Sequence, residues 1–212
     1  MKKLSLIIAL LLTSSTFIAC GGGSSKAQTT NTDKKEVQET KRKFGIFKVL
    51  GDNRTIEMDG DIKRKTPDNF DRLLQAFPNI DTINIVNCPG SLDDESNFKL
   101  SKKVHERDIK IHLMDNGEIA SGGVDFFLAG VKRSKGENTK IGVHAWSGDG
   151  ERATDFPRGH ANHLPYIKYY VSIGFSKKWA EDFYYFTIYS APAKGIHWMS
   201  EEEIEKYGLI TK

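Results

Sequence analysis

The sequence predicts an α/β fold with a mainly parallel sheet flanked by helices, and three observations predict it. From Thr66 to His144 short apolar, β-branched runs alternate with segments of helical periodicity. Each apolar run ends in a turn rich in glycine, proline or serine. The order strand, turn, helix, strand then repeats, which requires right-handed crossovers between parallel strands. In sheets of this kind sites form at the carboxyl ends of the strands.

The chain opens with Lys2 and Lys3, an apolar run from Leu4 to Leu12, and Thr13 to Ala19 before Cys20. This is the layout of a secretory signal, and the run is too short to span a bilayer. Cys20, preceded by Ile18-Ala19 and followed by three glycines, resembles a bacterial lipobox. That resemblance implies a signal peptide over residues 1–19 and diacylglycerol attached to Cys20. Residues 20–43 hold almost nothing apolar and read as a flexible tether with a reach of about 25 Å. The formal net charge is +3, but residues 1–43 carry eight Lys/Arg and three acids, leaving 23 basic and 25 acidic residues from 44 to 212. The folded part is therefore mildly acidic, which excludes nucleic acid as the expected partner and places the basic tether near anionic lipid. The expected location is the bacterial cell envelope, anchored to a membrane and extracytoplasmic.

Residues 44–212 form one domain of ordinary size. Phe44 to Leu50 and Thr55 to Ile62 read as strands around Gly51-Asp52-Asn53. Thr66-Pro67-Asp68 opens a helix whose Phe70, Leu73, Leu74 and Phe77 make one buried stripe, and Pro78 stops it. Ile83 to Val86 is a strand leading into Asn87-Cys88-Pro89-Gly90-Ser91. Leu92 to Arg107 is a surface helix, and Ile109, Ile111 and Leu113 alternate with polar residues as the next strand. Cys88 is the one thiol of this domain, so no intramolecular disulfide forms there, and its apolar neighbours predict a buried, unreactive group.

Gly117-Glu118-Ile119-Ala120-Ser121-Gly122-Gly123 then reads as a turn feeding an apolar helix with Ser121 as its first residue. Unpaired N–H groups and the positive end of the helix dipole make such a serine a candidate nucleophile with oxyanion donors beside it. Ile141-Gly142-Val143-His144 is a short strand that delivers a histidine, the candidate base. Residues 145–164 read as a long loop beside His144, positioned as a lid. His144, His160 and His163 lack the fixed spacing of a zinc site, so no metal and no cofactor is expected. Pro165 to Ile173 and Ser176 to Tyr189 read as helices, and their tyrosines are suited to a groove wall or an oligomer face. Ser200 with Glu203 makes a capping box, and Gly208 ends the last helix.

The ordered set of Asn-Cys-Pro-Gly-Ser after a strand, Gly-x-x-Ala-Ser-x-Gly before an apolar helix, a strand ending in histidine some two dozen residues later, and the Met199 to Leu209 tail resembles the ClpP/crotonase superfamily. More narrowly it is similar to the ClpP-like serine peptidases and their exported periplasmic relatives, over about Ile56 to Leu209. The resemblance implies the fold of repeated β-β-α units, Ser121 as nucleophile, His144 as general base, and the backbone N–H groups of Ser91 and Gly122 as the oxyanion hole. It also implies a peptide or protein substrate, while a homo-oligomer is an expectation that rests on the tyrosine-rich helices. Two positions depart from the pattern. Ser91 stands where the family has glycine, and Lys194-Gly195-Ile196-His197-Trp198 holds no carboxylate where the family acid falls. Asp125, four residues after Ser121, Asp182, Asp155 or a backbone carbonyl are the groups open for orienting His144. For Asp125 the alternative is a structural carboxylate paired with Lys132, Arg133 or a buried N–H. The functional readings are then an envelope-anchored serine hydrolase, expected to be a peptidase, or a catalytically inactive binding or scaffold lipoprotein of the same fold. A CoA-thioester enzyme ranks behind both, because an exported protein rarely meets CoA.

Overall fold

A computed structural model describes residues 41–211. The expected signal peptide, the expected lipidation at Cys20 and the expected tether up to residue 40 fall on residues outside those described. Helices are α1 (Thr66–Ala76), α2 (Asp94–Glu106), α3 (Gly122–Leu128), α4 (Leu164–Ser172), α5 (Lys177–Ser190) and α6 (Glu201–Lys206). Strands are β1 (Lys43–Phe44), β2 (Phe47–Val49), β3 (Thr55–Asp59), β4 (Thr82–Cys88), β5 (Lys110–Ala120), β6 (Arg133–Lys135), β7 (Lys140–Val143), β8 (Ser147–Gly148), β9 (Glu151–Arg152) and β10 (His197–Trp198). The main sheet runs β1-β2-β3-β4-β5-β7-β10, with β6 also on β5. Its central pairs, β3 with β4, β4 with β5, and β5 with β6 and β7, are parallel. Antiparallel pairs close both edges. The fold is therefore the mainly parallel α/β sheet that the alternation of strand and helix patterns predicts.

The inward residues of the strands form the core, with Ile56, Met58, Ile83, Ile85, Leu113 and Ile119 all fully buried. Phe70 and Leu73 bring α1 onto that core, and Leu100 and Val104 bring α2. At about 25 cal/mol per Å² of apolar surface, each of these large side chains contributes about 1.5–3 kcal/mol. In α5 the stripe of Trp179, Phe183 and Phe186 is aromatic packing, with Trp179 and Phe183 stacked at 4.8 Å.

Several elements differ from the sequence expectation for local reasons. The first predicted strand is broken at Gly45, whose φ of +65° turns the chain sharply between β1 and β2. Thr66 is the first helical residue of α1 rather than its cap, and its hydroxyl accepts from the Lys63 N–H at 2.9 Å. The strand expected over Ile109 to Leu113 continues to Ala120. It survives because β5 changes partner midway: Ile111 to Leu113 pair with β6, whereas Glu118 to Ala120 pair with β7. The expected loop 145–164 is in part built structure. Asp149 and Gly150, both at positive φ, make the two-residue turn of the β8–β9 hairpin, and two 3₁₀ turns follow.

Candidate active site

Register brings the three strand ends level. Cys88 at the end of β4 pairs with Ile119 of β5, and Ala120 at the end of β5 pairs with Gly142 of β7. Pro89 to Ser91, Ser121 and His144 therefore follow directly from neighbouring strand ends. Ser91, Ser121, Gly122 and His144 line one cavity of about 190 Å³.

Ser121 is the cap before α3 rather than its first residue. Its N–H donates to the Gly142 carbonyl at 3.0 Å, and its own carbonyl accepts from Val124 at 2.8 Å, so the sheet and the helix together hold it. Between them its backbone sits at φ 52° and ψ −130°. A non-glycine residue held there costs about 1–3 kcal/mol, and such a strained strand-to-helix turn projects the serine hydroxyl outward. The hydroxyl does not cap its own helix.

Among the described residues the N–H groups of Ser91 and Gly122 have no acceptor, for two different reasons. Ile62 donates to the Gly90 carbonyl at 3.0 Å and accepts from Leu92 at 2.9 Å, a parallel bridge that uses the groups flanking Ser91. In a parallel bridge the central residue's own N–H faces away from its partner, and Ser91 is one of the residues that line the cavity. Gly122 is the first residue of α3, where no preceding turn supplies an acceptor. The two residues are in close contact: a Cβ on Gly122 would lie 2.4 Å from the Ser91 Cβ and 3.0 Å from the Ser91 nitrogen. Ser91 is absent from the positive-φ residues described, so this turn accommodates a serine without backbone strain. Its hydroxyl accepts from the Asp93 N–H at 3.1 Å.

His144 is half-buried, and its Nδ1 lies 2.8 Å from the carbonyl oxygen of Ala145. A carbonyl only accepts, so that contact puts the proton of the neutral ring on Nδ1 and leaves Nε2 as the basic atom. Among the described residues no hydrogen bond joins His144 to Ser121; the two share the cavity.

The candidate acids fall elsewhere. The Asp125 carboxylate lines the cavity but accepts from the Tyr170 hydroxyl, while the Asp125 carbonyl accepts from Tyr169 at 2.6 Å. Its partner is thus a tyrosine, in place of Lys132, Arg133 or His144. Arg133 is occupied with the carbonyls of Gly130, Gly208 and Leu209. Desolvation raises the Asp125 pKa to about 7, against the lowering effect of the Tyr170 hydrogen bond and with a further push from Asp94. Asp182 pairs with Lys178 at 2.6 Å, one turn away on the exposed side of α5, because i,i+4 spacing brings the two together. Asp155 closes a 3₁₀ turn with Arg152. In the stretch where the family acid would fall, His197 pairs with Glu203 at 2.8 Å and so turns toward α6.

No family model matches the chain, and none of the curated proteins does. Among solved structures it is similar to the 1510-N membrane-bound stomatin-specific protease in complex with a substrate peptide, at 23% identity and a TM-score of 0.48, over 74% of this chain and 72% of that one. A second structure of that protease gives 21% identity and 0.48, over 74% and 76%. A mutant ClpP1 from Listeria monocytogenes gives 19% and 0.49, over 75% and 90%.

Around the cavity are residues that sequence reasoning passed over. Asn97, fully buried, donates to the Gly122 carbonyl at 2.8 Å and so fixes the first turn of α3. Its signal was available: an asparagine among polar surface residues at the i+3 spacing that shares a face with Leu100 and Val104. His163, also fully buried, presents Nδ1 to the Tyr184 hydroxyl at 2.7 Å, and Tyr184 accepts from the Trp146 indole at 2.9 Å. With its Nε2 3.1 Å from the Pro157 carbonyl, both nitrogens of His163 are engaged in the protein's own hydrogen bonds. Cys88 is buried as the sequence predicts, with a thiol that burial pushes up to about 12.

Proposed function

We propose that this protein is an envelope-anchored serine hydrolase of the ClpP/crotonase superfamily, acting on peptides through a Ser121–His144 dyad. His144 Nε2 takes the Ser121 proton as Oγ attacks the substrate carbonyl carbon, and the N–H groups of Ser91 and Gly122 hold the developing oxyanion. The proton passes to the departing amine as the carbon–nitrogen bond breaks, leaving an acyl-serine. Water, deprotonated by the same nitrogen, then releases the acid. The Ala145 carbonyl takes over the tautomer-fixing part of the usual carboxylate's role, without its charge. The observation that carries this reading is that one cavity is lined by a strained serine, by two residues whose N–H groups have no partner among the described residues, and by a histidine whose far nitrogen is already held. In the same reading residues 1–19 are removed, Cys20 carries lipid, and residues 20–43, of which Lys43 already pairs in β1, tether the domain of residues 44–212, which assembles as a homo-oligomer.

The test is labelling of the folded protein by an alkyl fluorophosphonate. The expected result is a single adduct on Ser121, lost in Ser121→Ala. An unlabelled, folded wild-type protein sinks the hydrolase reading. It would leave the second one, a binding or scaffold lipoprotein of the same fold, which the missing Ser121–His144 hydrogen bond and the missing acid at Lys194 to Trp198 favour.

A further inference from the structure

We infer that the cavity beside Ser121 selects a cationic side chain, so that the residue on the acyl side of the cleaved bond is lysine or arginine. The inference rests on the hydrolase reading and names its substrate class. Two carboxylates, Asp94 and Asp125, line the cavity, and no lysine or arginine among the described residues does. Each gives one oxygen to a tyrosine: Asp94 accepts from Tyr166 at 2.6 Å, and Asp125 from Tyr170. The second oxygen of each has no hydrogen-bond partner among the described residues. A donor of charge opposite to theirs is the group that such oxygens bind most strongly, about twice as well as a neutral one.

The walls suit the same group. Tyr166 and Tyr170 come from α4 and Tyr184 from α5, while Trp146 follows β7; Tyr166 stacks on Trp146 at 6.1 Å and on Tyr184 at 5.3 Å. Stacked on one another, these rings give an apolar wall that buries the methylenes preceding an ammonium or guanidinium group. These rings are fixed, because the Tyr184 hydroxyl lies between His163 and Trp146, and both other tyrosines are tied to the carboxylates. Size then decides how much enters. A space of about 190 Å³ falls below the range of about 300–1,000 Å³ for drug-sized ligands, so it takes one side chain. The acyl residue is the one that becomes bonded to Ser121, and its side chain therefore leaves the backbone nearest this recess.

The experiment compares two diphenyl phosphonates that differ in one group, one carrying the lysine side chain and one that of norleucine. Ser121 Oγ forms the new P–O bond, a P–O bond to phenoxide breaks, and the serine proton leaves with the phenol. At pH 8, where Asp125 is ionised, wild-type protein is expected to react at least about tenfold faster with the lysyl probe, and this ratio is expected to fall toward one in Asp94→Asn and in Asp125→Asn. Equal rates in wild type, or a faster norleucyl probe, overturn the cation preference while leaving the hydrolase reading standing. The wild-type comparison needs no variant to fold. If neither probe reacts, the hydrolase reading falls, and calorimetric titration of the wild type with lysyl and norleucyl tripeptide amides decides the cavity by itself. Preferential lysyl binding upholds the cationic site, and equal or absent binding overturns it.

Discussion

The Nδ1 atom of His144 lies 2.8 Å from the carbonyl oxygen of the next residue, Ala145, and no carboxylate stands in that position. A main-chain acceptor fixes the tautomer at no cost in buried charge, but it stabilises an imidazolium less than an anion does. If His144 is the base proposed above, its function is expected to be independent of Asp155 and Asp182. Asp155→Asn and Asp182→Asn are expected to change the rate of fluorophosphonate labelling by less than about twofold. His144→Gln is expected to lower it by about 10²- to 10⁴-fold, the usual contribution of a positioned base. A large loss in Asp155→Asn or Asp182→Asn would show that a carboxylate reaches the ring after all.

Ser121 carries strain that can be separated from its chemistry. At φ 52° and ψ −130° any residue with a Cβ is disfavoured, whereas glycine is not. Ser121→Ala removes the hydroxyl and keeps the strain. Ser121→Gly removes both, so it should unfold at higher denaturant than Ser121→Ala, by about 1 kcal/mol after the extra chain entropy of glycine is allowed for. Neither variant should label. Equal stabilities would mean that the turn relaxes when the hydroxyl is gone.

What the sequence carried, and what it did not, follows from the range of the interactions. The strand-turn-helix order around Ile83 to Ser91 and Ile111 to Leu128 is written in local periodicity, and the structure keeps it. Ser121, His144, Ser91 and Gly122 could be placed at strand ends because parallel sheets align those ends, and the observed register does so. The partner of His144 could not be read, because a backbone carbonyl leaves no mark in a sequence. Nor could the pairing of Asp125 with Tyr170, 45 residues later, which depends on how α4 returns across α3. Of the two roles open to the tyrosines, groove wall or oligomer face, the same long-range packing gives Tyr166, Tyr170 and Tyr184 the first. The two-residue strand β10 is too short to show a period, and it exists because its edge pairs with β7.

Asn97 is the residue through which α2 holds the first turn of α3, where the proposal puts one oxyanion donor. Its amide donates to the Gly122 carbonyl at 2.8 Å, and its own oxygen accepts more weakly from Ser101 at 3.3 Å. Asn97→Ala leaves a buried carbonyl without its donor and should cost about 1–3 kcal/mol. Ser101→Ala should cost less, since the longer contact contributes less. Labelling at Ser121 should slow in Asn97→Ala at denaturant concentrations where the protein is still folded, because the Gly122 carbonyl and N–H flank the same Cα and a shift of one carries to the other. Denaturation curves and labelling rates measured on the same samples check both. A stability loss with an unchanged labelling rate would separate Asn97 from the site.

Asp125 gives a pH dependence whose sign can be worked out. Burial lifts its folded pKa to about 7, from an ordinary 3.8. Between those values the folded protein holds a proton that the unfolded chain has released, so the stability due to this group falls as pH rises through that window. Below it both states are protonated, and above it both are ionised with the desolvation cost fully expressed. Asparagine can still accept from Tyr170 but carries no charge. Asp125→Asn should therefore resemble the wild type in stability near pH 4 and exceed it by about 1–3 kcal/mol at pH 8. That range lies below the full shift at 1.36 kcal/mol per unit, because the cavity keeps part of the side chain in contact with solvent. Denaturant midpoints of the two proteins at pH 4.5, 6 and 8 measure this directly. A difference that does not grow with pH would mean that Asp125 is ionised throughout and that its oxygens are better solvated than their surroundings indicate.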